Sequence, residues 1–140
     1  MVKQKLLGKR KTAMEALFSD EYATKLETLA KEKSQEHKNG KQIPHIYFDD
    51  FLLVEIAQVA LKDFPEPKRL TWTKFDRPTE RKLALNVVEK LPPSVRKVLY
   101  SLNSRPMLTF LEILIGLKSV ISDPYYAGGG LHSDQAGRPS

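Results

Sequence analysis

The chain has 140 residues, the size of one ordinary domain, and 41% of them are apolar, enough to bury a core. It has no cysteine, which excludes disulfides, cysteine-ligated metals and a cysteine nucleophile. The net charge is +6, and residues 1–11 are predicted to be a basic N-terminal arm before a folded part at residues 12–140. No apolar run approaches the roughly 20 residues of a membrane helix, so we predict a cytoplasmic protein without a membrane partner.

The first elements in chain order are predicted to be helices. Thr12 has the spacing of a capping box and is expected to open a short helix. Ser19 and Asp20 are start signals for a longer helix that reaches about His37 and ends at Asn39-Gly40. Its apolar positions recur at helical spacing, which indicates one face packed on another element. These positions are Tyr22, Leu26, Leu29 and Ala30.

A strand and a third helix are expected next. Residues 43–48 are rich in β-branched and aromatic side chains, which predicts a short strand. Asp49 and Asp50 are then expected to cap a helix over residues 51–64, which prolines 65 and 67 end. The predicted buried face of that helix is Leu53, Ile56, Ala57 and Ala60.

The second half is predicted to hold two core helices. Residues 69–76 alternate and give a weak strand signal, whereas residues 77–90 have no clear pattern. A helix is expected after Pro92, and another over residues 106–117 that is apolar on several faces and therefore central to the core. The fold class predicted is α+β and mainly helical. The buried face expected for the first of these two helices is Val95, Val98, Leu99 and Leu102.

Two local patterns near the C-terminal end of the chain are candidates for functional sites. The run Gly128-Gly129-Gly130 lacks the spacing of a phosphate-binding loop, so a bent start to a strand is favoured. His132-Ser133-Asp134 has the His-x-Asp form of an iron facial triad, but a triad needs a third ligand. His37 and His45 are interpreted as ordinary surface or half-buried residues. Acidic pairs such as Asp49-Asp50 are interpreted as caps or solvated surface, and residues 133–140 show no pattern.

The order of several blocks resembles a bacterial family of 2-oxoglutarate/iron(II)-dependent dioxygenases related to prolyl 4-hydroxylase. The resemblance covers about residues 40 to 134, and its most distinctive block is the last. The blocks are Pro44-His45-Ile46-Tyr47-Phe48-Asp49-Asp50-Phe51-Leu52, Trp72-Thr73-Lys74-Phe75-Asp76, Arg81-Lys82-Leu83-Ala84-Leu85, Leu91-Pro92-Pro93, Leu102-Asn103-Ser104, Phe110-Leu111-Glu112, and Asp123-Pro124-Tyr125-Tyr126 with Gly128-Gly129-Gly130-Leu131-His132.

The resemblance implies a fold and an activity. It implies the N-terminal helical support of a double-stranded β-helix, truncated before the catalytic barrel. Iron(II), 2-oxoglutarate and ascorbate are the cofactors of the intact family, which hydroxylates peptide or small-molecule substrates. His132 matches the family's glycine-rich block and not its iron ligand, so no catalytic or metal-binding residue is assigned. Gly128, Gly129, Gly130, Leu131 and His132 are expected near the missing active site.

Three further expectations follow. By the resemblance, the reading frame is predicted to break near residue 137, and the fragment is expected to be inactive. Because the predicted helix at residues 106–117 is apolar on several faces and the barrel implied by the resemblance would be missing, the chain is expected to self-associate or to behave as a loosened globule. One alternative function is a small basic helical protein that binds nucleic acid through residues 3–11. Another is a protein-binding scaffold that uses the helices at residues 91–117.

Overall fold

The structure is a computed structural model, and it is α+β and mainly helical, as predicted. Sequence positions outside the described residues include the basic arm, Thr12, Trp72 and Gly128. The described residues are 13–40, 43–66, 73–77, 80–85, 87–126 and 129–134. The helices are α1 (residues 13–16), α2 (Asp20–Lys38), α3 (Val54–Lys62), α4 (Pro93–Leu102) and α5 (Arg105–Ile115), with a 3-10 turn at Val88–Lys90. The strands are β1 (Thr73–Arg77), β2 (Glu80–Leu85) and β3 (Leu131–Asp134).

Helix α2 begins and ends where the sequence predicts. The Ser19 hydroxyl accepts a hydrogen bond from the Tyr22 backbone N–H at 3.2 Å, which satisfies one of the free donors of the first turn. Asn39 is the C-cap. Leu26 and Ala30 are buried on the predicted face and Tyr22 and Leu29 pack beside them, while charged side chains lie on the exposed side of the helix.

Helix α5 is the centre of the largest buried cluster, which confirms its predicted place in the core. Phe110 and Leu114 pack against the buried face of α2. The helix ends at Ile115, two residues earlier than predicted, because Gly116 takes a left-handed φ of 81° and caps the last turn. Leu114 is a buried core residue. The large apolar side chain that α5 exposes is Ile115, its last residue.

The predicted strand at residues 43–48 is wrong: this segment is extended but pairs with no strand among the described residues. Its alternation is real, because Ile46 and Phe48 pack on the α2–α5 core while Tyr47 is exposed. The Phe48 and Phe110 rings lie 5.6 Å apart at 62°. The alternation of buried and exposed side chains in residues 43–48 therefore comes from packing against helices and not from pairing with another strand.

Helix α3 begins at Val54, later than predicted. Asp49 and Asp50 form a turn, and Asp50 has φ 51°, which is incompatible with the N-cap conformation. The predicted buried face is also wrong in part: Ile56 is buried, but Leu53 and Ala57 are exposed.

The sheet has three antiparallel strands in the order β1-β2-β3. Strand β1 (Thr73–Arg77) confirms the weak strand signal of residues 69–76, although it ends one residue later. Strand β2 was missed, because its sequence mixes charged and apolar residues without a clean alternation. Strand β3 confirms a strand after the glycines and includes Ser133 and Asp134, which had shown no pattern.

Helix α4 starts at Pro93, so a proline lies in its first turn, as predicted. Val95 is buried, but Leu102 is 45% exposed, so the predicted face is wrong at its last position. Ser94 is buried instead, and its hydroxyl donates to the Asp63 carboxylate at 2.7 Å. This hydrogen bond joins the start of α4 to the end of α3. Among the described residues, none of the helices combines the length and apolar character needed to cross a membrane.

Candidate functional site

The described part of the glycine-rich segment, residues 129–132, bends once and then joins the sheet. Gly130 has φ 144°, a conformation that residues with a Cβ rarely adopt, so the bend requires glycine there. Leu131 packs on the buried cluster around Val88. His132 pairs in register with Ala84, and its side chain is exposed.

A turn at residues 123–126 delivers the chain to this bend. The Tyr125 backbone N–H donates to the Asp123 carboxylate at 2.9 Å, so the aspartate closes its own turn. Tyr126 then takes a left-handed φ of 51°, which is uncommon for a residue with a side chain. Its ring lies 5.9 Å from the ring of Tyr100, and its carbonyl accepts from the Gly129 N–H at 2.9 Å. Packing on α4 thus holds the left-handed residue in place.

Asn103 at the end of α4 holds the start of that turn through two hydrogen bonds. Its side-chain Nδ2 donates to the Asp123 carbonyl at 2.7 Å, and its Oδ1 accepts from the Asp123 N–H at 3.1 Å. The amide therefore pairs with one backbone residue as a neighbouring strand would. We call this pair of bonds the Asn103 clamp. Both residues belong to blocks of the resemblance, Leu102-Asn103-Ser104 and Asp123-Pro124-Tyr125-Tyr126, but the sequence does not predict that they meet.

A second attachment holds the loop between α5 and the clamp. The Glu112 carboxylate accepts from the Val120 N–H at 2.7 Å, and Arg105 donates to the Val120 carbonyl at 2.9 Å. Arg105 also pairs with Glu112 at 2.8 Å. The Arg105 hydrogen bond, followed by the Val120 backbone bond, holds the pKa of the Glu112 carboxyl below its ordinary value. Arg105 and Glu112 together therefore hold this loop at Val120.

The three histidines are on three different elements. His37 is in the last turn of α2, His45 is in the extended segment, and His132 is in β3. The His45 Nδ1 lies 2.8 Å from the Ile43 carbonyl oxygen, within hydrogen-bond distance. Within the described ranges, no group of three His, Asp or Glu side chains is arranged to hold a metal ion.

A shallow cleft of about 500 Å³ lies at the C-terminal end of α2. It brings the Glu36 carboxylate and the Asn39 amide near the exposed His45–Tyr47 pair, whose rings are 5.6 Å apart. Glu36 is already paired with Lys33, and Asn39 accepts from Gln35, so these two groups have partners. The cleft is lined by Glu36, Asn39, Gly40, His45, Ile46 and Tyr47.

Comparison with known proteins assigns no family. No protein-family model, no curated protein and no solved structure matches the chain. The resemblance to the dioxygenases therefore stays a prediction from the sequence blocks.

Proposed function

We propose that the chain is a relative of the 2-oxoglutarate/iron(II)-dependent oxygenases of the prolyl-hydroxylase type. In this proposal the described residues are the helical support of the catalytic domain. The observation that carries it is the Asn103 clamp. Two blocks of the resemblance, Leu-Asn-Ser and Asp-Pro-Tyr-Tyr, stand 20 residues apart in sequence, and they are joined by paired hydrogen bonds. Blocks that touch have a physical reason to occur together.

In this proposal the described helical residues position the glycine-rich segment. The clamp fixes Asp123, the turn at residues 123–126 sets the direction of the chain, and the Gly130 bend starts β3. Among the described strands, β3 pairs with β2 alone, so no described strand lies along its outer edge, where a further strand could pair. A double-stranded β-helix needs further strands of this kind. The role of these residues is positional.

The described residues do not fit an iron site. No suitable ligand group occurs in the part of the chain that the structure describes, and the His132 side chain is exposed beside Ala84. We assign no metal ligand and no cosubstrate contact to them. Iron(II), 2-oxoglutarate and ascorbate belong to the proposal for the intact oxygenase, where iron supplies the oxidising chemistry. The substrate class is a peptide or small molecule with an unactivated C–H bond.

The proposal is tested by 2-oxoglutarate turnover. We expect the longest polypeptide that the gene encodes around this chain to form succinate from 2-oxoglutarate with iron(II) and ascorbate. The 140-residue chain alone is expected to bind iron(II) and 2-oxoglutarate together only negligibly in calorimetry. A longer polypeptide that forms no succinate, or a gene that encodes no further His-x-Asp strand, would refute the family proposal.

A second measurement tests whether the described residues, His132 among them, hold a metal ion. Stoichiometric iron(II) binding by the 140-residue chain that His132→Ala abolishes would contradict the assignment above. His45→Ala is the matched control, because His45 is an exposed histidine on another element.

A further inference from the structure

Helix α3 is apolar on two opposite sides. Ile56 is 1% exposed and faces the core, with Val59 on the same side. Val54 is 58% exposed and Leu61 is 75% exposed on the other side. Together with the exposed Ala57, these two residues recur at positions i, i+3 and i+7, which lie on one face of a helix. We call Val54, Ala57 and Leu61 the outer stripe of α3.

The charges beside the outer stripe are of opposite sign at its two ends. Glu55 is in the first turn of α3 and Lys62 is in the last turn. They are seven residues apart, which is almost two full turns, so both lie on the same flank of the stripe. Both side chains are exposed, and neither is in an ion pair with another described residue.

We propose that the outer stripe binds the outer stripe of a second copy of this chain, with the two α3 helices antiparallel about a twofold axis. In that register Val54 of one copy lies opposite Leu61 of the other, and Ala57 lies opposite Gln58. A twofold axis perpendicular to both helices brings the same flank of each copy together. Glu55 of each copy then lies beside Lys62 of the other, which gives two ion pairs. A parallel twofold arrangement would put the Glu55–Lys62 flanks of the two copies on opposite sides of the contact, so neither ion pair could form.

The antiparallel arrangement is also favoured by the helix ends. Each α3 places its positive N-terminal end beside the negative C-terminal end of the other copy. The apolar contact removes Val54 and Leu61 from water, which is the main stabilising contribution. The ion pairs select the direction and the partner. The surface is therefore self-complementary in its apolar positions and in its charges, and a second copy is the occupant that satisfies both.

The test is sedimentation equilibrium of the full chain over a range of concentrations. We expect a monomer–dimer equilibrium that Leu61→Glu weakens at least tenfold, because a carboxylate then replaces the apolar contact. Ile121→Glu is the matched control: Ile121 is 85% exposed but lies outside the stripe, and its replacement is expected to leave the equilibrium unchanged. Circular dichroism checks that each variant keeps its helix content.

Charge reversal tests the orientation. Glu55→Lys and Lys62→Glu should each weaken the dimer about tenfold, since two attractive pairs become repulsive. The double variant should dimerise like the original chain, and an equimolar mixture of the two single variants should form a heterodimer. The double variant places charges unfavourably for the α3 dipole, so restored association cannot come from a more stable helix. A monomer at every concentration, association unaffected by Leu61→Glu, or no rescue by the double reversal overturns the proposal.

Discussion

The Asn103 clamp allows a quantitative test. Replacing Asn103 by Ala removes both hydrogen bonds to the backbone of Asp123. Each such bond contributes about 1 kcal/mol net, so the free energy of unfolding should fall by about 2 kcal/mol. The helix end itself adds little to this figure. Asn103 has φ −103°, so the position does not require a residue that tolerates the left-handed region, and its backbone N–H bond to Leu99 survives the change.

The assay combines urea unfolding with hydrogen exchange. Unfolding followed by far-UV circular dichroism gives the change in stability, and Gln35→Ala is the matched control. The Gln35 side-chain amide donates to Asn39 on the exposed surface of α2, so its loss should cost less than about 0.5 kcal/mol. Hydrogen exchange should also show that the Asp123 amide loses its protection in Asn103→Ala, because that N–H donates to the removed Oδ1.

A carboxyl at position 103 separates hydrogen bonding from packing. Asn103→Asp keeps the volume and the acceptor but puts a carboxylate oxygen where Nδ2 lies 2.7 Å from the Asp123 carbonyl. At neutral pH it should therefore destabilise at least as much as Asn103→Ala. Below the pKa of the new carboxyl, protonation restores a donor and the deficit should shrink. A loss below about 0.5 kcal/mol for Asn103→Ala, with unchanged protection of Asp123, would refute the account of the clamp.

Three further perturbations follow from named contacts. The hydrogen bond from Arg105 lowers the pKa of the Glu112 carboxyl from 4.5, so its stabilisation is present above that pH and is lost as pH falls through the folded-state pKa. The stability difference between the original chain and Glu112→Gln should thus narrow below about pH 4.5 in urea titrations. Ser94→Ala should cost about 1 to 2 kcal/mol in the same assay, because it leaves the Asp63 carboxylate without its 2.7 Å donor. Phe110→Ala should cost about 3 to 5 kcal/mol by thermal unfolding, and a cost near zero in Phe110→Leu would show that the ring contacts of Phe110 are irrelevant.

The elements that sequence predicted well are those whose signals are local. Ser19 caps α2 through an atom three residues away, and Pro93 begins α4 through its own fixed φ. The errors came where a distant partner decides the structure. Residues 43–48 have the period of a strand, but the side chains that they meet belong to helices. Strand β2 has no clear period, yet it lies between two strands. Periodicity reports which side chains are buried, not what buries them.

The same distinction limits what sequence reveals of the site. The bend at Gly130 could be expected from three successive glycines, because glycine has a local conformational meaning. The contact between Asn103 and Asp123 could not, because an asparagine after a helix is usually read as a cap. Here the backbone of Asn103 ends the helix, while its side chain is directed to a loop 20 residues later. Gly at this position could still end the helix through its backbone, but it has no side chain to bind the loop. Asn103→Gly should therefore lose protection at Asp123 although it tolerates the helix end, and this would separate the two roles within one residue.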